Sequence, residues 1–171
     1  MSTSEVPERP IDAAAILRAL ANYGVDYVVI GGIAVQTHGH LRTTKDLDVI
    51  PAPTRENFRR LGRALGEIGA RLRGVDADLL AVDVTDARDL EAGANFTMTT
   101  MHGWLDVFAH DETPGAPPYE DLRRRALEIE IGGAEVAVSR RPDPPQARGG
   151  ASNRPARHSR ADRSGVTLRG R

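Results

Sequence analysis

The residues of this chain best placed to do chemistry are Asp46 and Asp48, in the run Lys45-Asp-Leu-Asp-Val-Ile50. Side chains two apart on a strand point to the same face, so the two carboxylates would stand side by side. Like charges so placed repel unless a cation lies between them. Alternation along a strand could also turn both outward to water, and the surrounding residues have to decide. Upstream, the apolar run Val28-Val-Ile30 breaks at Gly31-Gly32. Two residues without Cβ let backbone N–H groups approach an anion closely, and the dipole of a following helix adds to the attraction. The connecting segment carries Arg42 and Lys45. One site could then hold phosphates near Gly31, Gly32, Arg42 and Lys45 and metal ions at Asp46 and Asp48. His38 and His40 lie two apart near a helix end, do not share a face, and are not expected as metal ligands. A packing or phosphate-side role suits His38 better.

The elements that must position these residues can be read from periodicity. Ile11, Ile16, Leu17 and Leu20 recur near helical spacing, with Pro10 suited to a first turn and Gly24 placed to stop the helix. Tyr27 to Ile30 reads as a strand buried on both faces. Ile33 to Thr37 reads as a short helix, and Lys45 to Ile50 as a second strand ended by Pro51 and Pro53. Thr54 is a candidate N-cap for a helix to about Ile68, since Phe58, Leu61, Leu65 and Ile68 recur at three and four. An apolar run from Leu79 to Val82 and a short helix from Ala87 to Glu91 follow. Asn95 to Thr100 and Trp104 to Ala109 form a hairpin about Met101-His-Gly103. After the loop Thr113 to Pro118 come a helix from Tyr119 to Ala126 and a second hairpin, Leu127 to Ile131 with Glu135 to Val138, about Gly132-Gly133. The expected class is α/β (α+β), a mixed β-sheet flanked by helices.

Composition narrows the function classes. The 171 residues include no cysteine, which removes disulfides and thiolate metal sites. Aromatics are 4% of the chain, so the core must be built from Val, Ile, Leu and Ala. No apolar stretch is long enough to span a bilayer and no signal segment is visible, so no membrane partner is expected and the location is read as cytoplasmic. The net charge of -1 conceals an asymmetry. Residues 140–171 hold nine arginines against two aspartates, +7, which leaves -8 on residues 1–139. That tail lacks Ile, Phe, Tyr and Trp and is dense in Arg, Pro, Gly and Ser. It cannot bury enough apolar surface to offset its chain entropy and is expected to be disordered. The chain therefore divides into a domain over residues 1–139 and a basic tail over 140–171.

With these motifs in place, the sequence resembles the nucleotidyltransferase superfamily, whose founding fold is that of DNA polymerase beta. Its signature is a hydrophobic residue, Gly-Gly or Gly-Ser, a spacer, Asp-x-Asp or Asp-x-Glu, and a third carboxylate on a later strand. Ile30-Gly31-Gly32 and Asp46-Leu47-Asp48 match the first two parts. Asp106, a lone carboxylate among apolar neighbours in Trp104-Leu-Asp-Val-Phe108, is taken as the third. The longer run His38 to Asp48 is similar to abortive-infection toxins of the AbiEii type and related uncharacterised bacterial proteins, as are Asn95-Phe to Leu105-Asp-Val and Pro117-Pro-Tyr-Glu-Asp-Leu122. The resemblance covers about residues 10–139.

The resemblance implies transfer of a nucleoside monophosphate from an NTP to a hydroxyl of RNA, tRNA included, or of protein, with a cognate antitoxin as a further partner. It implies two Mg²⁺ ions, with Mn²⁺ as a substitute, about 4 Å apart. Asp46 and Asp48 would bind both ions and Asp106 the one serving the attacking hydroxyl, while Arg42 and Lys45 contact triphosphate. The alternative is a catalytically impaired module of the same fold that binds nucleotide or a partner. Relatives of this type continue after the second hairpin with a lysine- and arginine-bearing helix that the tail lacks. Codons permitted for the tail can encode such a helix one base later, so a frameshift near Arg140 is a further expectation, to be settled on the coding DNA. A natural basic tail that binds RNA phosphates is the other reading.

Overall fold

The structure is a computed structural model that describes residues 10–31, 45–74, 81–109 and 117–140. Helix α1, Ala13–Asn22, begins later than Pro10 because Asp12 supplies the cap: its carboxylate accepts the Ala15 N–H at 2.9 Å and satisfies a donor the helix cannot pair. Strand β1, Tyr27–Ile30, is buried along its whole length, as its unbroken apolar run requires. Strand β2 is Asp46–Pro51, antiparallel to β1, with Ile30 opposite Asp48 and Tyr27 opposite Pro51. Pro51, expected to end the strand, is instead its last residue.

Helix α2, Arg55–Glu67, starts where Thr54 accepts the Asn57 N–H, and Leu61, Ala64 and Leu65 on its inner face are buried together with Ile68. A short strand that periodicity did not indicate, β3 at Arg71–Leu72, follows. Helix α3 is Ala87–Glu91, and the hairpin of β4, Phe96–Thr100, and β5, Gly103–Val107, comes next. Helix α4, Tyr119–Arg125, leads into β6, Leu127–Ile131, and β7, Ala134–Val138. Their turn needs its glycines: Gly132 and Gly133 have φ of 57° and 87°, and a Cβ on Gly132 would fall 2.4 Å from that of Ala14.

These strands form one seven-stranded mixed sheet in the order β3-β4-β5-β2-β1-β7-β6. The β2–β5 and β1–β7 pairs are parallel and the other four antiparallel. On one face Val29, Leu47, Val49, Met98 and Leu105 pack with Ile16, Leu17 and Leu20 of α1 and Leu61 and Leu65 of α2 in the main core. On the other, Val28, Ile30, Ile50 and Ala137 pack with Tyr119 and Leu122 of α4. By alternation Asp46 and Asp48 share this second face with Ile50, at the margin of the α4 cluster. The chain is thus an α/β fold with a mixed sheet flanked by helices.

Four expectations fall wholly or partly beyond the described residues: the helix from Ile33 to Thr37, the Leu79 to Val82 run, of which Ala81 and Val82 belong to no strand, the Thr113 to Pro118 loop, of which Pro117 and Pro118 are described, and the tail from Arg141. Among the described residues no helix is long and apolar enough to cross a membrane.

Candidate metal centre

Asp46 and Asp48 reach the same face of β2 because one residue, the fully buried Leu47, separates them and faces the core. Parallel pairing of β2 with β5 brings up the third acid: Asp48 is in register with Asp106, and Asp46 with Trp104. One carboxylate oxygen from each of Asp46, Asp48 and Asp106 lies within 4.8 Å of the others. Asp48 is 7% exposed, and Asp46 and Asp106 are half-buried.

So close a set of acids is electrostatically costly. At an effective dielectric constant of about 20, two full charges at that separation repel by on the order of 3 kcal/mol, less where water reaches them. The cost is visible at Asp106. Burial first, and then the nearby Asp46 carboxylate, pushes its carboxyl up to about 6, and the Arg73 guanidinium opposes the shift. Asp106 Oδ1 is buried and has no hydrogen-bond partner among the described residues. An orphaned buried oxygen inside a ring of carboxylates is what a hard divalent cation would satisfy, and an all-oxygen donor set suits Mg²⁺ or Mn²⁺. The residues therefore fit a divalent ion.

Gly31 stands against this cluster for a reason its sequence context did not reveal. It has φ of 69°, and a Cβ there would lie 1.9 Å from Asp48 Oδ2. The missing side chain makes room for the carboxylate. Lys45 directly precedes β2. Gly32, Arg42, His38 and His40 lie outside the described residues.

Two residues beside the centre went unnoticed in the sequence. Arg73 places its guanidinium 3.8 Å from the centroid of the Trp104 ring, and Trp104 is two positions before Asp106 on the same face of β5. The signal was the alternation Arg71-Leu-Arg73, too short to read as a strand without its partner.

No protein-family profile matches the sequence, and neither does any curated protein. Among solved structures, a crystal structure from Thermotoga maritima of a protein proposed to be a nucleotidyltransferase is similar, with 16% identity and a TM-score of 0.46 over 73% of each chain. At that distance the functional reading has to rest on the carboxylates themselves.

Proposed function

We propose that the chain is a metal-dependent nucleotidyltransferase that moves a nucleoside monophosphate from an NTP to an acceptor hydroxyl. The observation that carries this reading is the convergence of Asp46, Asp48 and Asp106 on one face of β2 and β5, with the Oδ1 of Asp106 left unpartnered among the described residues. In the reaction the acceptor oxygen forms a bond to the α-phosphorus, the bond from that phosphorus to the bridging oxygen breaks, pyrophosphate leaves and the hydroxyl proton is released to solvent. Divalent ions held by the three aspartates would supply the positive charge that favours ionisation of the hydroxyl and offsets charge on the leaving oxygen.

The chain's own residues orient the reactants. The buried strands leave the three carboxylates little freedom to move, so the site is organised before substrate arrives. Gly31, directly after β1, and Lys45, directly before β2, flank the aspartates and are the described residues proposed to meet the triphosphate. Gly32 and Arg42 complete that set in the proposal.

Incubation with Mg²⁺, labelled NTPs, and total RNA and protein tests the reading. Wild type is expected to label an acceptor, while Asp46→Asn and Asp106→Asn lose at least a hundredfold in transfer rate and stay folded. Asp121→Asn is the matched control: this acid sits on α4, paired with Arg124, and should change transfer little. Transfer that survives Asp46→Asn would remove the reading.

A further inference from the structure

The face of the sheet that bears the aspartates also bears a cation. Arg71 lies opposite Thr99 and Leu72 opposite Met98, and the Arg73 N–H donates to the Thr97 carbonyl at 2.8 Å, which carries the ladder one residue beyond β3. Thr97 is in register with Asp106, and Asp106 with Asp48. Leu72, Met98 and Leu105 alternate to the core side. Arg73, Thr97, Asp106 and Asp48 therefore follow one another in a row across the opposite face.

The Arg73 guanidinium lies 3.8 Å from the centroid of the Trp104 ring. Trp104 is in register with Asp46 and stands two positions before Asp106 on the same face, so the ring that receives the cation is beside two of the three acids. Arg73 and Trp104 are both half-buried. Arginines of the helices are spent on neighbouring acids, Arg59 and Arg60 of α2 on Glu56 and Arg124 of α4 on Asp121. Arg73 makes no ion pair among the described residues. A stack on indole fixes the guanidinium without neutralising it, because the ring offers a quadrupole and no net charge. The charge is felt at the centre, where it opposes the effect of burial and of Asp46 on the Asp106 carboxyl. A divalent ion entering the centre meets three carboxylates and this guanidinium together, and a like charge held close by weakens its binding.

We infer that Arg73 is the resident counter-charge of the aspartate centre, held in place by Trp104: it offsets the repulsion among the three carboxylates while no ion is bound, and it opposes the divalent ion that takes over that role. Arg73 is thus a positioning residue that sets how tightly the centre holds metal. The inference rests on the metal centre of the proposed function and needs no transfer step.

Mn²⁺ is titrated into the full-length protein without nucleotide, bound ion is measured as loss of the free-ion paramagnetic signal, and the binding lost in Asp46→Asn defines the centre. Arg73→Gln should bind there at least threefold more tightly than wild type. The difference should shrink as salt is raised, because screening weakens the repulsion that the substitution removes. Arg73→Lys restores a charge at the same position and should bind within twofold of wild type. Arg71→Gln removes an exposed arginine from the same face and should also stay within twofold. Trp104→Leu keeps the charge but releases it to water, and its affinity should fall between those of wild type and Arg73→Gln; should Arg73→Gln fail to fold, this variant carries the binding test. Without metal, Arg73→Gln should melt below wild type, and the gap should narrow when both chains carry Asp46→Asn, since one fewer carboxylate then needs an offset.

Mn²⁺ binding by Arg73→Gln that equals or falls below wild type would overturn the inference, because a residue that only braced the edge strand would loosen the centre when lost. Tightening shared by Arg73→Lys would do the same. Wild-type affinity in Trp104→Leu would overturn the pinning of the charge by the ring. If no Mn²⁺ binding depends on Asp46, the metal centre itself fails, and the metal-free melts still judge Arg73: a gap of the same size with and without the Asp46 charge makes it a stacking residue only.

Discussion

Asp106 shows at a single residue why the site wants a cation. Its carboxyl, raised from 3.8 to about 6 chiefly by burial, holds in the folded, metal-free protein a proton that the unfolded chain has already released. The sign follows from linkage: the contribution to stability is present below pH 3.8 and is lost as pH rises through about 6. Metal-free wild type should therefore lose melting temperature relative to Asp106→Asn as pH increases across that window. Excess Mn²⁺ should close the gap above pH 6, because an ion that binds only the native state stabilises it by mass action and competes with the proton. Melting curves of both proteins at several pH values, with and without Mn²⁺, measure this. A gap that does not change with pH would mean that the Asp106 carboxyl is not perturbed.

At the scale of elements, the position of α2 depends on a residue that reads as ordinary in the sequence. Asn57, in the first turn of α2, is 3% exposed. Its amide donates to the carbonyls of Asp26 at 2.8 Å and Ala52 at 3.0 Å, and its oxygen accepts the Asp26 N–H at 2.8 Å. One side chain thus ties the helix to both strands at the end where β1 begins and β2 finishes, so the strand bearing Asp46 and Asp48 is held at the end remote from the acids. Replacing Asn57 with Leu keeps the volume and strands the Asp26 N–H, while the Asp26 and Ala52 carbonyls keep the N–H groups of Ala52 and Thr54. The expected cost is about 2–3 kcal/mol in urea unfolding, since a buried polar group without a partner forfeits its solvation. A cost below about 0.5 kcal/mol would show that water takes over these bonds.

Across the whole molecule, the site exists only when distant parts of the chain have assembled. Asp48 and Asp106 meet through a parallel pair whose strands are separated in sequence by α2, β3, α3 and β4, and no local segment can form it. Native-state hydrogen exchange should reflect this arrangement. Amides of the central strands, Val29, Val49 and Leu105 among them, should exchange only through global unfolding, while β3 and β6 at the sheet edges open first. Mn²⁺ should slow the central amides of wild type by the full increment in stability and leave those of Asp46→Asn nearly unchanged. Equal slowing in both proteins would place the ion elsewhere.

Short-range physics made much of this readable in advance. The unbroken apolar run of β1, the three-and-four spacing of Leu61, Leu65 and Ile68, the Thr54 cap and the Gly132-Gly133 turn all act within a few residues, and the elements formed where those signals stood. The same rule put Asp46 and Asp48 on one face, since strand alternation needs no partner. Three things were decided only by tertiary packing. The register that sets Asp106 beside Asp48 comes from burying Leu47 and Leu105 in one core. The use of Gly31 as space for the Asp48 carboxylate comes from the β1–β2 pairing. The edge strand that carries Arg73 to Trp104 has two residues and no pattern of its own, and it forms because β4 offers an open ladder. Sequence determined which residues could carry charge to one face of the sheet. Only the folded chain determined which of them meet, because pairing between remote strands is chosen by the core that both must fill.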